Sequence, residues 1–167
     1  INYEHIDQPS NEIDEILDSL NDLVKAGKIR YIGLSNETPW GTMKFLHHSN
    51  ISSVPRVQSI QNAYNLLNRT FEIGGSEIAH REDVGLLAYS PLAQGYLTGK
   101  YQNGKLPKGS RKELFNRLQR YEGPYAEEAI EDYISIAKKY NIDPSQLANQ
   151  FVTCLLYTSD AADDKCS

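Results

Sequence analysis

With 167 residues, 40% of them hydrophobic and 23% charged, the chain has the length and composition of one globular domain with a real core. A net charge of −5 argues against a surface given over to nucleic acid, and no apolar run approaches the roughly 18 residues that a membrane helix needs. The N-terminus shows no signal-peptide pattern. The two cysteines, Cys154 and Cys166, lie near the C-terminus and make no disulfide framework, so a cytoplasmic protein is expected. Because it opens at Ile1 rather than at a methionine, the chain is expected to be cut from something longer.

Residues 1–9 read as irregular. Ser10 stands where a helix N-cap belongs, ahead of Ile13, Ile16, Leu17, Leu20 and Val24, one apolar stripe whose first turns carry Asp and Glu. Lys25-Ala26-Gly27-Lys28 closes that helix with cations and a C′ glycine. The run from Ile29 to Ser35 reads as a strand ending on Ser35-Asn36. Thr38-Pro39 then caps a second helix, which carries Trp40, Met43, Phe45 and Leu46 and fades near Ser49. A second strand is expected over 56–61, and a third helix over 72–81, weakened by Gly74 and Gly75. The third strand, 85–89, is an apolar run of the kind buried on both faces in a parallel sheet.

These strands begin near residues 29, 57 and 85, a step of about 28. Strand–helix repeats at constant period force parallel pairing through right-handed crossovers. An open doubly wound sheet has the same repeat, but the step suits the roughly 30 residues per unit of a (β/α)8 barrel, which needs about 250 residues. The chain is too short for eight units, so the expected fold is α/β, a partial (β/α)8 TIM barrel. Beyond the third strand come a long loop with helical pieces at 111–121 and a helix over about 125–140. That helix places Ala126, Ala129, Ile130, Tyr133, Ile136, Ala137 and Tyr140 largely on one side. Asp143-Pro144-Ser145-Gln146 starts a last helix, carrying Leu147, Gln150 and Phe151. From Cys154 to Asp164 the pattern breaks and looks like the conceptual translation of a sequencing-library adapter. Residues 1–153 are therefore read as the partial barrel domain and 154–167 as a non-native tail.

In parallel α/β sheets and barrels, ligands bind at the carboxyl ends of the strands. Three such ends are visible: Ser35-Asn36, Gln61-Asn62 and Tyr89-Ser90. Amide side chains carry both donor and acceptor, the complement of a carboxamide, and an aromatic ring at a neighbouring end could stack on a flat heterocycle. That set is what a nicotinamide needs. The plainer readings are a turn before a helix for Ser35-Asn36 and a satisfied core amide for Gln61. After Tyr89-Ser90-Pro91 the chain opens into a loop of glycines and lysines, a platform for an anionic cofactor or simply a flexible loop. Residues 100–120 hold seven cations (Lys100, Lys105, Lys108, Arg111, Lys112, Arg117 and Arg120) against the single acid Glu113. Such a charge suits a pyrophosphate or phosphomonoester, with a solvated lid as the bland alternative. His47 and His48 read as solvent-facing, His5 and His80 as isolated, and no metal site is expected.

Three stretches resemble the aldo-keto reductases, and among them the Tas-like branch related to potassium-channel β-subunits. They are Gly27-Lys28-Ile29-Arg30-Tyr31-Ile32-Gly33-Leu34-Ser35-Asn36-Glu37, Ile60-Gln61-Asn62-Ala63-Tyr64-Asn65-Leu66-Leu67-Asn68-Arg69, and the segment from Tyr89 to Tyr101. The likeness covers most of residues 10–153 in order. It implies a C-terminal-half piece, the later strands and helices of an NADP(H)-dependent barrel enzyme that reduces aldehydes and ketones. Ser35, Asn36 and Gln61 would hold the nicotinamide carboxamide, and Tyr89 would stack on the ring. Ser90, Leu92, Gly95, Lys100 and Arg111 match positions that wrap the phosphates. The family's Asp, Tyr, Lys and His proton relay lies on earlier strands, so no catalytic residue is assigned and this chain alone is expected to be inert. A nicotinamide-binding auxiliary or sensor subunit without turnover is the alternative. A phosphate-binding barrel of unrelated chemistry stands third, disfavoured because phosphate needs no carboxamide-matching trio. The carbonyl substrate and the oligomeric state are not legible.

Overall fold

The computed structural model describes residues 9–115 and 119–154. Of the stretch expected to be irregular, 1–9, residues 1–8, His5 among them, lie outside the described residues, as do Arg117 and the tail from residue 155, whereas Pro9 is helical. The described residues form two compact units, one of residues 9–62 with 74–87 and one of residues 63–73 with 88–115 and 119–154.

The first unit is built of strand–helix repeats. Helix α1 (Pro9–Lys25) already includes Ser10, so that residue lies inside the first turn rather than at the N-cap. The helix ends as its sequence requires. Gly27 takes φ +69°, Gly27 N–H donates to Val24 C=O at 2.9 Å, and Lys28 N–H donates to Leu23 C=O at 3.0 Å. This is the paired bonding of a left-handed glycine cap. Strand β1 (Ile32–Ser35) is shorter than expected. In α2 (Pro39–Ile51), Thr38 Oγ1 accepts from Gly41 N–H at 3.1 Å and Pro39 takes the first turn, as the cap chemistry predicts.

Strand β2 (Val57–Ala63) and strand β3 (Gly85–Tyr89) complete a three-stranded sheet in the order β1-β2-β3. β1 and β2 run parallel, with Ile32 opposite Val57 but Gly33 opposite Ser59, a local slip that bends the pairing. The helix expected over 72–81 is split: Thr70–Ile73 makes a short 3₁₀ turn, and α3 (Gly75–Arg81) starts afresh after Gly74. A glycine pair gives the backbone no reason to continue one helix through it.

Helices α1 and α2 pack on each other, as do α2 and α3. Ile13 and Leu17 of α1, Phe45 and Leu46 of α2, Ala79 of α3 and Ile32, Val57, Ile60 and Leu86 of the strands are buried. The alternate strand positions Gly33, Gln58, Gly85 and Leu87 are exposed, Leu87 by 53%. β3 is therefore buried on one face, not on both as its composition suggested: Leu86 is buried, and the positions either side of it project the other way and are exposed. Trp40 and Met43 of α2 are exposed too. His48 corrects another expectation. It is half-buried, with Nδ1 2.5 Å from Oδ1 of Asp14, while its neighbour His47 faces solvent.

The second unit gathers on helix α5 (Ala126–Lys139), helix α6 (Pro144–Thr153) and a 3₁₀ segment, Ala93–Thr98, all three in mutual contact. Its core holds Ala93, Tyr96, Leu97, Tyr101, Tyr121, Ile130, Ile134 and Ala148. Along α5 the buried stripe is Ile130, Ile134 and Ala137, whereas Ile136 and Tyr140 are exposed. At about 100° per residue those two lie a quarter-turn or more off the stripe. The α6 start is as expected, with Asp143 accepting from Ser145 N–H at 2.8 Å and Gln146 N–H at 3.3 Å. Gln150 is exposed, and Ala148 and Val152 take the buried positions. Phe151 stacks on Tyr64 with ring centroids 5.5 Å apart. Cys154, the C-cap of α6, is disulfide-bonded.

Candidate cofactor site

The end of β1 and the body of β2 bring three of the anticipated residues together; β2 runs on to Ala63, so Gln61 lies within the strand rather than at its end as expected. Ser35 stands in register opposite Gln61, Asn36 N–H donates to Gln61 C=O at 2.9 Å, and Asn36 Nδ2 donates to Ser35 Oγ at 3.2 Å. All three residues are exposed, so Gln61 is not a core amide. Asn36 has φ +54°, a left-handed conformation that asparagine tolerates better than most residues. It turns the chain sharply out of β1 and towards the Thr38 cap. Beside them Asn62 Nδ2 reaches Glu37 C=O at 3.5 Å, and Asn62 Oδ1 is buried without a hydrogen-bond partner.

In the second unit, Tyr89 and Ser90 end β3 and lead into a run of left-handed backbone: Ser90 (φ +57°), Ala93 (+47°), Gln94 (+58°) and Gly95 (+101°). Ala93 N–H donates to Ser90 C=O at 2.8 Å, and Gly95 N–H to Leu92 C=O at 2.9 Å, closing two consecutive tight turns. Lys100 folds back over this segment. A Cβ placed on Gly95 would lie 2.6 Å from Lys100 Cε and 2.9 Å from Nζ, so the glycine leaves the room through which the ammonium passes. Leu92 is half-buried beside the turn. Arg111 is exposed at the start of α4 (Arg111–Phe115).

The basic loop is not uniformly free charge. Lys112 Nζ pairs with Glu122 at 2.7 Å, Tyr96 donates its hydroxyl proton to the same carboxylate, and Lys112 N–H donates to Tyr101 Oη at 3.3 Å. The lysine bond holds the Glu122 carboxyl below its usual range, and Tyr96 adds to it. Glu122 in turn pushes the Lys112 ammonium up. Lys112 is thus a structural anchor next to Arg111. Arg120 places Nη1 3.5 Å from Tyr89 Oη, which sets a guanidinium beside the predicted stacking ring. The sequence counted it only among the lid charges, because 31 residues separate it from Tyr89.

A second carboxylate network lies under the β2 exit. Arg69 grips Glu72 through Nε at 2.7 Å and Nη2 at 2.8 Å, and Tyr64 donates to the same carboxyl group. Chiefly through the arginine bonds, Glu72 is held below the ordinary glutamate value. Asp143 is lowered likewise by its bonds to Ser145 and Gln146. A carboxyl whose folded pKa is depressed stabilises the fold above its unfolded pKa, and the gain is lost as pH falls through the folded value. The second unit is therefore expected to keep constant stability from about pH 5 to neutral pH and to weaken below about pH 4. Glu72→Gln should lower the urea midpoint at neutral pH and make the acid slope shallower. An unchanged slope would remove the Arg69–Glu72 pair from the acid response.

With this geometry in hand, comparison with known proteins is informative. The pattern of the Aldo/keto reductase family matches residues 1–155. Protein tas of Escherichia coli strain K12 is 48% identical over 144 residues, covering 86% of this chain and 42% of the relative. An aldo-keto reductase of Babesia bovis is 42% identical over 140 residues, 81% of this chain and 49% of the relative. The chain thus spans less than half the length of the curated relatives it matches here. Among solved structures, a glycerol dehydrogenase from Gluconobacter oxydans superposes with a TM-score of 0.65 at 28% identity, covering 84% of this chain and 41% of that one. The three strands and their helices are accordingly part of a (β/α)8 barrel. On the matched residues and the shared architecture, the chain belongs to the aldo/keto reductase family, in its Tas-like branch.

Proposed function

We propose that this chain carries part of the nicotinamide-dinucleotide cradle of an NADP(H)-dependent oxidoreductase that reduces aldehydes and ketones, and that it does not turn over by itself. The observation that carries this reading is the pairing of the β1 end with β2, where Asn36 N–H meets Gln61 C=O and Ser35 stands opposite Gln61. The hydroxyl and two amides there offer both donors and acceptors to a carboxamide. In the second unit, Tyr89 offers a ring for stacking, and Ser90, Leu92 and Gly95 form a tight turn crossed by the Lys100 ammonium. That turn, shaped around a cation, suits a pyrophosphate. Arg111 adds a second cation for the phosphates.

When bound, the cofactor supplies the hydride; the residues of this chain bind and orient it. Tyr89, lying on one face of the nicotinamide, would leave the other face for the carbonyl compound. The family's Asp, Tyr, Lys and His relay matches no motif in these stretches, so proton delivery to the carbonyl oxygen is assigned to no residue here. The choice of NADP over NAD, the cytoplasmic setting and the carbonyl substrate rest on the likeness to the family.

Calorimetric titration of the chain with NADP+ and NADPH tests the cradle, and NADPH absorbance in the presence of aldehydes tests turnover. Binding is expected, weakened about tenfold in Gln61→Ala, where one amide partner of the carboxamide is lost. No reproducible aldehyde-dependent oxidation is expected. A chain that binds neither nucleotide would overturn the cradle, and steady turnover would overturn the claim of inertness. Tight binding without turnover by a longer protein that holds this segment, together with a stable partner complex, would favour a sensor subunit.

A further inference from the structure

Asn65 is fully buried, and all of its side-chain hydrogen-bonding directions are used. Oδ1 accepts from Leu67 N–H and Asn68 N–H, both at 2.9 Å. Nδ2 donates to Ser90 C=O at 2.8 Å and to Tyr121 Oη at 2.9 Å. The amide orientation follows from its partners. Two backbone N–H groups demand an oxygen on one side, and a carbonyl that can only accept demands the NH2 on the other.

The carbonyl it grips belongs to Ser90, the first of three non-glycine residues held in left-handed backbone, with Ala93 and Gln94. Non-glycine residues persist there only when their surroundings over-determine them, and such runs gather at functional sites. The Ser90 carbonyl already receives Ala93 N–H at 2.8 Å, so Asn65 supplies its second donor. The loop bearing Asn65 is itself tied back by paired Asn65–Asn68 backbone bonds at 3.1 Å and by Tyr133 Oη donating to Leu66 C=O at 3.3 Å. A donor on a braced loop thus grips the first residue of the turn.

We infer that Asn65 is a positioning residue for the cofactor: it clamps the Ser90 carbonyl and so holds the Ser90–Gly95 turn in its phosphate-accepting shape. The inference rests on the reading that this turn takes the cofactor's phosphates. Asn65 would touch no ligand and act only through Ser90.

The test is Asn65→Asp, which keeps the size and the Oδ1 acceptor but sets a carboxylate oxygen against the Ser90 carbonyl. Calorimetry with NADP+ near pH 8 should give a loss of roughly tenfold or more in affinity. On acidification the buried carboxyl protonates, regains a donor towards Ser90, and affinity should recover, a trend the wild type does not share. Tyr133→Phe loosens the same loop without touching Ser90 and should bind as the wild type does. Undiminished binding by Asn65→Asp, or an equal loss in Tyr133→Phe, overturns the inference.

Amide exchange in the ligand-free wild type decides the clamp even if the aspartate variant does not fold. Ala93 and Gly95 N–H should be protected before any nucleotide is added, and exchange at the rate of an open loop overturns the clamp. No heat with NADP+ from a chain in which those amides are protected overturns the cofactor reading instead, and the clamp on Ser90 stands.

Discussion

Leu97→Ala is expected to lower the stability of the second unit by about 3 kcal/mol, within the roughly 2–5 kcal/mol range for buried leucines. Leu97 is 2% exposed and sits among Ala93, Tyr96, Tyr101, Tyr121, Ile130, Ile134 and Ala148. Three of these are tyrosine rings, which pack as rigid plates and cannot flow into the vacated volume, so much of the cavity should remain. Leu97 N–H also donates to Leu92 C=O at 3.3 Å, and Ala93 of the Ser90–Gly95 turn shares its core, so a disturbance there reaches the turn. Urea unfolding should show the drop in midpoint, and NADP+ affinity should fall with it. A cost below about 1 kcal/mol would mean that the tyrosines close the gap, and that this core is softer than its burial implies.

Gly95→Ala should damage both stability and binding. At φ +101° any L-residue is strained, at a cost of about 1–2 kcal/mol. The new methyl would also meet Lys100, and because that contact is the far end of a flexible side chain, the lysine yields rather than the backbone. Moving the ammonium off the turn removes the cation expected to face the pyrophosphate, so affinity for NADP+ should fall by about tenfold or more. Gly27→Ala is the matched control. It too has a left-handed glycine, at φ +69°, but a Cβ there meets nothing within 4 Å. Its cost should be purely conformational, about 1 kcal/mol, with binding unchanged. Equal effects of the two substitutions on NADP+ affinity would refute the role given to Lys100.

What the sequence by itself determined is the part whose causes are local. Gly27 ends α1, Thr38-Pro39 opens α2 and Asp143-Pro144 opens α6, because each cap is made by residues within a few positions of one another. The strand spacing was likewise legible, since a parallel crossover imposes a minimum length that shows up as a period. That Ser35 closes the first strand was legible too, because a polar pair ends its apolar run; that Gln61 stands opposite it was not, since strand pairing and register join residues far apart in the chain.

Tertiary structure decided what depends on neighbours distant along the chain. Leu87 is as apolar as Leu86, yet one is exposed and the other buried, because successive strand side chains project to opposite faces and the described residues pack over one of them. Ile134 rather than Ile136 faces the core, a choice made by where α5 meets α6 and the Ala93–Thr98 segment. His48 meets Asp14 only because α1 and α2 pack together. Above all, the bond from Asn65 to Ser90 spans 25 residues, and the approach of Arg120 to Tyr89 spans 31. Asn65 stood out in the sequence only as one member of the Ile60–Arg69 stretch, and no local pattern says which carbonyl its amide will grip. A hydrogen bond of that kind exists only once two segments are packed, and with it the left-handed backbone at Ser90 is held in place.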